Sequence, residues 1–132
     1  MDAKEYSRIA DEALEMQRYL EITCSDNPVE VVERLKKLNV YQARAGFLLA
    51  KSKAIYNSKR SSEIAIIVVE IAKQNFLSAK AQNALVDSIA GDEGFLVDWL
   101  DRICAAIVHQ QDVLRSILSY EKENLRLNNT GY

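Results

Sequence analysis

Residues 63–71 read Glu63-Ile64-Ala65-Ile66-Ile67-Val68-Val69-Glu70-Ile71, and the reading of this run decides the fold class. Its β-branched content makes it the one credible strand in the chain. A lone strand leaves its backbone N–H and C=O groups without a ladder, and no second strand-like run exists to pair with it. The segment therefore reads as helix and the chain as all-α. It is apolar on nearly every side, more than a thin bundle can bury. Ile64, Ile66, Ile67 and Val69 are accordingly expected at an interface between copies of the chain.

Working outward from that run, the apolar pattern lapses at Asn57-Ser58-Lys59-Arg60-Ser61-Ser62, which marks a break. The preceding helix is predicted over 28–57. Val31, Leu35, Leu38, Gln42, Ala45, Leu49, Ser52 and Tyr56 recur on one of its faces at three- and four-residue steps. A neighbouring face carries Ala43, Gly46, Ala50 and Ala54, small enough to admit another helix. Its start is marked by Asn27 as cap, Pro28 in the first turn and Glu30 where a capping-box acid belongs. A first helix is predicted over 2–23, with Tyr6, Ile9, Ala13, Met16, Leu20 and Thr23 as its seam. Downstream, the run itself lies in a helix over 62–75, and Ser78 caps a short helix over 79–90. Gly91-Asp92-Glu93-Gly94 reads as a separator. A last helix over 94–125 has Leu96, Leu100, Ile103, Ile107, Gln110, Leu114 and Ile117 as its seam, and 125–132 reads as a fraying tail. Phe76, Phe95 and Trp99 read as core aromatics that anchor the short helix on the long one. The expected architecture is an all-α bundle of long antiparallel helices, with one short helix before a long C-terminal helix.

The chain has 132 residues, one Pro and four Gly, which suits one folded domain and excludes a disordered chain. Its longest apolar run is far below the ~20 residues that span a bilayer, and residues 1–8 form no secretory signal, so a cytoplasmic protein without membrane contact is expected. Cys24 and Cys104 are 80 positions apart and read as two buried thiols in preference to a framework disulfide.

The net charge of −2 excludes a histone-like chain but hides a strong asymmetry. Residues 1–33 hold nine acids and three bases, residues 34–62 hold eight bases and no acid, and residues 63–132 hold ten acids and six bases. Arg34, Lys37, Tyr41, Arg44 and Lys51 share one helical face over roughly 26 Å, and Lys53, Lys59 and Arg60 extend the zone. Such a stripe suits single-stranded DNA or RNA, with Tyr41 placed for base stacking. The bland alternative is a hairpin in which the acidic first helix neutralises the basic second one. Which of the two holds depends on whether the stripe faces the first helix or solvent.

Catalytic equipment is thin. Arg102, His109, Asp112 and Ser116 share a face of the last helix, but an intrahelical row lacks an oxyanion hole and a strained nucleophile turn. It reads as a polar seam. One His and two remote Cys supply no metal-ligand spacing, and Asp92, Glu93, Asp98 and Asp101 read more simply as acids near a helix start. No catalytic residue, metal or cofactor is expected.

Leu77-Ser78-Ala79-Lys80-Ala81-Gln82-Asn83-Ala84-Leu85-Val86-Asp87-Ser88, Phe95-Leu96-Val97-Asp98-Trp99-Leu100-Asp101-Arg102 and His109-Gln110-Gln111-Asp112-Val113-Leu114-Arg115-Ser116 together resemble small helical proteins of phages and prophages. With Tyr41-Gln42-Ala43-Arg44-Ala45-Gly46 and Leu49-Ala50, the likeness covers the C-terminal two-thirds. It implies a bacterial cytoplasm and a context of recombination and replication, without an assigned activity. A looser likeness, to phage recombination mediators that load a recombinase on single-stranded DNA, rests on a basic helix with Tyr41, Arg44, Lys51, Lys53 and Tyr56 followed by a long helix with Trp99. The resulting expectation is a non-enzymatic homo-oligomer acting as an accessory factor of DNA metabolism. It would bind single-stranded nucleic acid, or its protein coat, through Arg34, Lys37, Tyr41, Arg44, Lys51 and Lys53. The alternative is a counter-defence or interaction module that sequesters a host protein or a nucleotide signal, and a structural phage component stands third.

Overall fold

The computed structural model describes residues 3–130, so the starting residue Asp2 and the final Gly131 and Tyr132 of the expected elements lie outside the described residues. Five α-helices and no strand occur among the described residues: α1 (Ala3–Leu20), α2 (Pro28–Arg60), α3 (Glu63–Gln74), α4 (Ala79–Ile89) and α5 (Gly91–Thr130). The 63–71 run is helix, inside α3.

The starts obey local chemistry. The Val29 N–H donates to Asn27 Oδ1 at 3.0 Å, and the Ala65 and Ala81 N–H groups donate to the Ser62 and Ser78 hydroxyls at 3.4 and 3.2 Å. The expected capping box does not form. Glu30 instead accepts from the Ser25 hydroxyl, and the Asn27 N–H donates to that same hydroxyl oxygen at 3.3 Å.

Other boundaries also differ from the sequence reading. α1 stops at Leu20, and α2 runs on to Arg60, where the Ser61 N–H still reaches the Asn57 carbonyl at 3.1 Å. Gly91-Asp92-Glu93-Gly94 is not a separator but the first turn of α5. Neither glycine has a positive φ. Gly94 packs closely on α2: a Cβ there would stand 3.2 Å from Cε2 of Tyr56, so the ring would have to give by a few tenths of an ångström. The end of α5 does not fray at Leu125 but stays helical to Thr130, with Arg126 paired to Glu123 at 2.6 Å.

α2 and α5, about 50 and 60 Å long, pack antiparallel along most of their length. α1 lies in the groove between them, antiparallel to α2. It runs parallel to α5, which corrects the uniformly antiparallel expectation: Tyr6 lies near Asp92 and Glu93, while Leu20 meets Gln110. The physical reason is parity: α2 reverses the direction of α1, and α5, antiparallel to α2, reverses it again. The core of this three-helix bundle is Ile9, Ala13, Met16, Val31, Leu38, Ala45, Leu48, Leu96, Leu100, Ile103, Ile107 and Leu114. Buried Gln111 adjoins it, where its Nε2 donates to Asn39 Oδ1 at 2.6 Å and Gln42 Oε1 at 3.0 Å.

The hairpin sits at the other end, where α3 packs on α4 and α4 touches α2 and α5. Its contacts are slight: Ala65, Ala72 and Val86 are the residues it buries. Phe76 is not the core aromatic expected but is 96% exposed, because it occupies the reversal after α3 and points out of the turn. Trp99 is half-buried and anchors α1 and not α4, donating from Nε1 to Gln17 Oε1 at 3.2 Å. Phe95, beside it at 5.8 Å between ring centres, is exposed.

Candidate functional site

The basic stripe lies along α1. Arg44 makes a two-pronged contact with Glu12, Nε to Oε2 at 2.6 Å and Nη2 to Oε1 at 2.7 Å. This hydrogen bond holds the Glu12 carboxyl below the usual carboxylate range against the opposing effect of burial, and it raises Arg44. Lys51 Nζ stands 3.2 Å from Glu5 Oε1. Lys59 and Arg60 approach Glu93 and Asp87 at 3.9 and 3.0 Å.

Arg34 is the extreme case. It is 7% exposed, with Nη2 donating to the Tyr19 carbonyl and to Gln110 Oε1, each at 3.0 Å, and its guanidinium 4.2 Å from the Tyr19 ring centre. Gln110 Nε2 donates to the Leu20 carbonyl at 2.8 Å. Arg34 and Gln110 thus satisfy the last carbonyls of α1, the task a C-cap performs. Tyr41 is half-buried and edge-on to Tyr19 at 5.2 Å, and burial followed by nearby Glu15 pushes its hydroxyl pKa up. Lys37 lies 4.7 and 5.5 Å from the Tyr19 and Tyr41 ring centres. Of the residues expected to meet nucleic acid, Lys37 and Lys53 are exposed and in no ion pair among the described residues, and the other four are engaged with α1.

The apolar run behaves differently. On α3, Ile64, Ile67 and Ile71 are each more than half exposed and lie at i, i+3 and i+7, with half-buried Val68 between them. Glu63 and Glu70 lie together on one edge of this row, in no ion pair among the described residues. Ile66 is exposed on another side, and Val69 is half-buried.

The row ends at Phe76. There the Leu77 N–H reaches the Ala72 carbonyl at 3.0 Å and the Phe76 N–H the Lys73 carbonyl at 3.0 Å, a Schellman closure of α3. Its left-handed position, usually glycine, holds Phe76 at φ 58°. A bulky side chain there is strained. The hydrophobic excess was legible in the sequence, but the strained aromatic was not, because no turn signal flags a phenylalanine.

The polar row of α5 does not form a relay. The Ser116 hydroxyl donates back to the Asp112 carbonyl at 3.1 Å, and the Asp112 carboxylate pairs with Arg115 at 3.2 Å. His109 is exposed and lines a shallow cavity of about 320 Å³ with Leu20, Ile22, Cys24, Val113 and Ile117. Cys24 and Cys104 are free and half-buried rather than fully buried; burial, then Asp101, pushes the Cys104 thiol up. No cluster of His, Cys, Asp or Glu placed to hold a metal occurs among the described residues, and no described helix is long and apolar enough to cross a membrane. No protein-family model, curated protein or solved structure matches the chain.

Proposed function

We propose that the protein is a non-catalytic interaction module that captures a partner protein on the α3–α4 hairpin, the partner presenting an amphipathic helix with basic flanks. The observation that carries this reading is the outward isoleucine row ending in a strained, 96% exposed Phe76. The cap itself would form with glycine at this position, so the bulky aromatic is what folding does not explain, and backbone strain concentrates at functional sites. An apolar ridge of i, i+3, i+7 spacing suits the helix-in-groove and helix-on-helix modes of recognition. The acids on its edge choose the partner's charge. In an antiparallel self-pair the same edge meets itself, so Glu63 and Glu70 of both copies would crowd together, whereas Lys or Arg on a partner would be attracted. The polyanion reading has less support, since Arg34, Arg44, Lys51, Lys59 and Arg60 are all occupied within the chain.

The test uses two synthetic amphipathic helices with the same leucine seam, one flanked by Lys and one by Glu, followed by fluorescence anisotropy. The Lys-flanked peptide should bind about tenfold tighter or better, and Ile67→Lys should abolish binding while leaving helicity unchanged. Glu63→Lys with Glu70→Lys should reverse the preference. Failure of both peptides to bind overturns the reading. Salt-sensitive binding of a labelled oligonucleotide that Lys37→Glu with Lys53→Glu removes would restore the nucleic-acid alternative in its place.

A further inference from the structure

Arg34 carries its charge into the protein without a counter-ion. It is buried and in no ion pair among the described residues, whereas a buried arginine is ordinarily matched by a carboxylate. Both of its hydrogen bonds leave from Nη2 and end on neutral acceptors, the Tyr19 carbonyl and Gln110 Oε1. Those acceptors explain how the side chain caps α1, but they leave a whole positive charge uncompensated. Nε is buried without a partner, and Nη1 makes no hydrogen bond among the described residues. A buried donor left unmatched is costly, so the fold alone does not account for the state of this group.

The same guanidinium lines two cavities that share Thr23 and Cys24. One, of about 330 Å³, also holds Glu30, Glu33 and Lys37, so two acids already stand in it. The other is the cavity of about 320 Å³ beside His109, walled by Leu20, Ile22, Val113, Leu114 and Ile117. Its single acid, Glu21, is exposed and accepts from Gln17 Nε2 at 2.9 Å. Ile22 and Val113 are 60% and 45% exposed, large apolar side chains left uncovered around a buried cation. His109 adds an imidazole that makes no hydrogen bond among the described residues. Apolar walls with a few convergent polar groups, in a volume of this size, are the makings of a small-ligand site.

We infer that this cavity binds a small aliphatic carboxylate, its head group on Arg34 and its chain along Ile22, Val113 and Ile117. The carboxylate supplies the counter-ion that Arg34 lacks, and the alkyl chain covers the walls that solvent now touches. Each half of the ligand answers a separate observation, and neither half answers both. A nucleotide or polyphosphate would bring several charges to one guanidinium and leave the aliphatic wall bare. The site is built by residues 21–24 and Arg34 of α2 against the middle of α5. The α3–α4 hairpin is fastened at the opposite end of α2, through Tyr56 and Arg60, so this site is separate from the docking row.

The test is a titration of the full ¹⁵N-labelled chain with octanoate, octan-1-ol and octylammonium, each from about 10 μM to 3 mM, followed by amide chemical shifts. Octanoate should give saturable shifts at Ile22, Thr23, His109 and Val113, and should bind about tenfold tighter than the alcohol. Octylammonium should leave those amides unmoved. Arg34→Met should erase the preference for the carboxylate over the alcohol. Val113→Glu, at a site half open to solvent, should abolish octanoate binding with unchanged helicity, and it tests the site even where Arg34→Met weakens the fold. Ile67→Lys should bind octanoate as wild type does, whether or not the Lys-flanked peptide binds. The inference is overturned by the absence of saturable shifts at the highest concentration, by equal binding of octanoate and octanol, or by undiminished binding in Val113→Glu. Loss of octanoate binding in Ile67→Lys would move the ligand to the docking row and overturn it as well.

Discussion

In the α1–α2–α5 bundle the buried positions hold Met16, Leu38, Leu96, Leu100, Ile103 and Ile107, whereas in the α3–α4 hairpin they hold Ala65, Ala72 and Val86 and the isoleucines face solvent. A fully buried Leu or Ile contributes about 1.5–3 kcal/mol, and an alanine supplies far less apolar area. The hairpin therefore gains little from its own packing. It is fastened to the bundle by edge contacts, Arg60 to Asp87 at 3.0 Å and the Tyr56 hydroxyl to Asp87 at 3.4 Å. Large apolar side chains spent outward at the expense of the fold are what distinguishes an interaction element from a structural one.

The sharpest way to break this comparison is truncation on either side of it. Leu100→Ala should cost about 2–5 kcal/mol in urea denaturation, through lost transfer energy and a residual cavity. Ile67→Ala, at an exposed site, should stay within about 0.5 kcal/mol. An Ile67→Ala loss as large as that of Leu100→Ala would mean the row is core after all.

The same contrast runs through the basic stripe at smaller scale. Arg34→Met withdraws the charged donor from the Tyr19 carbonyl and Gln110 and should cost about 1.5–3 kcal/mol. Lys37→Met, a few residues along the same face, should leave the denaturation midpoint within about 0.5 kcal/mol of wild type. Equal losses would show that Lys37, too, is part of the α1 clasp.

Phe76 reverses the usual sign. Phe76→Gly removes a left-handed non-glycine residue and should stabilise the chain by about 1 kcal/mol, seen as slower amide exchange in α3. The same change should weaken the Lys-flanked peptide, because it deletes the most exposed aromatic on the hairpin. Stabilisation without any loss of binding would separate Phe76 from the docking face.

What was readable in the sequence tracks what is local. Asn27, Ser62 and Ser78 announced their helices because a cap is decided within four residues. The spacing of Val31, Leu38, Ala45 and Ser52 announced the core face of α2 because burial follows the helical period. Arg34 carried the same signal, three residues after Val31 and four before Leu38, but its charge drew it into the stripe. Gly91 and Gly94 read as a separator because glycine usually breaks helices, while the Tyr56 ring that packs closely on Gly94 comes from 38 residues earlier. Whether the bases faced α1 or solvent depended on tertiary placement, which charge counting does not contain.

The smallest expected effect concerns the edge where α1 is clasped to α2. Glu12 is held below its ordinary value of 4.5 chiefly by the Arg44 hydrogen bond. A carboxylate whose folded value is depressed adds stability that is fully present above the unfolded value and is lost as pH falls through the folded one. Glu12→Gln should therefore lower the melting temperature slightly at pH 7, and the gap to wild type should close as the pH drops below about 4.5. Both side chains are well exposed, 50% for Arg44 and 38% for Glu12, so screening keeps the contribution small and added salt should shrink it further. A gap that stays constant from pH 7 down to pH values at which Glu12 is protonated would mean that the pair aligns α1 by shape and hydrogen bonding alone, and that charge does not hold it on the bundle.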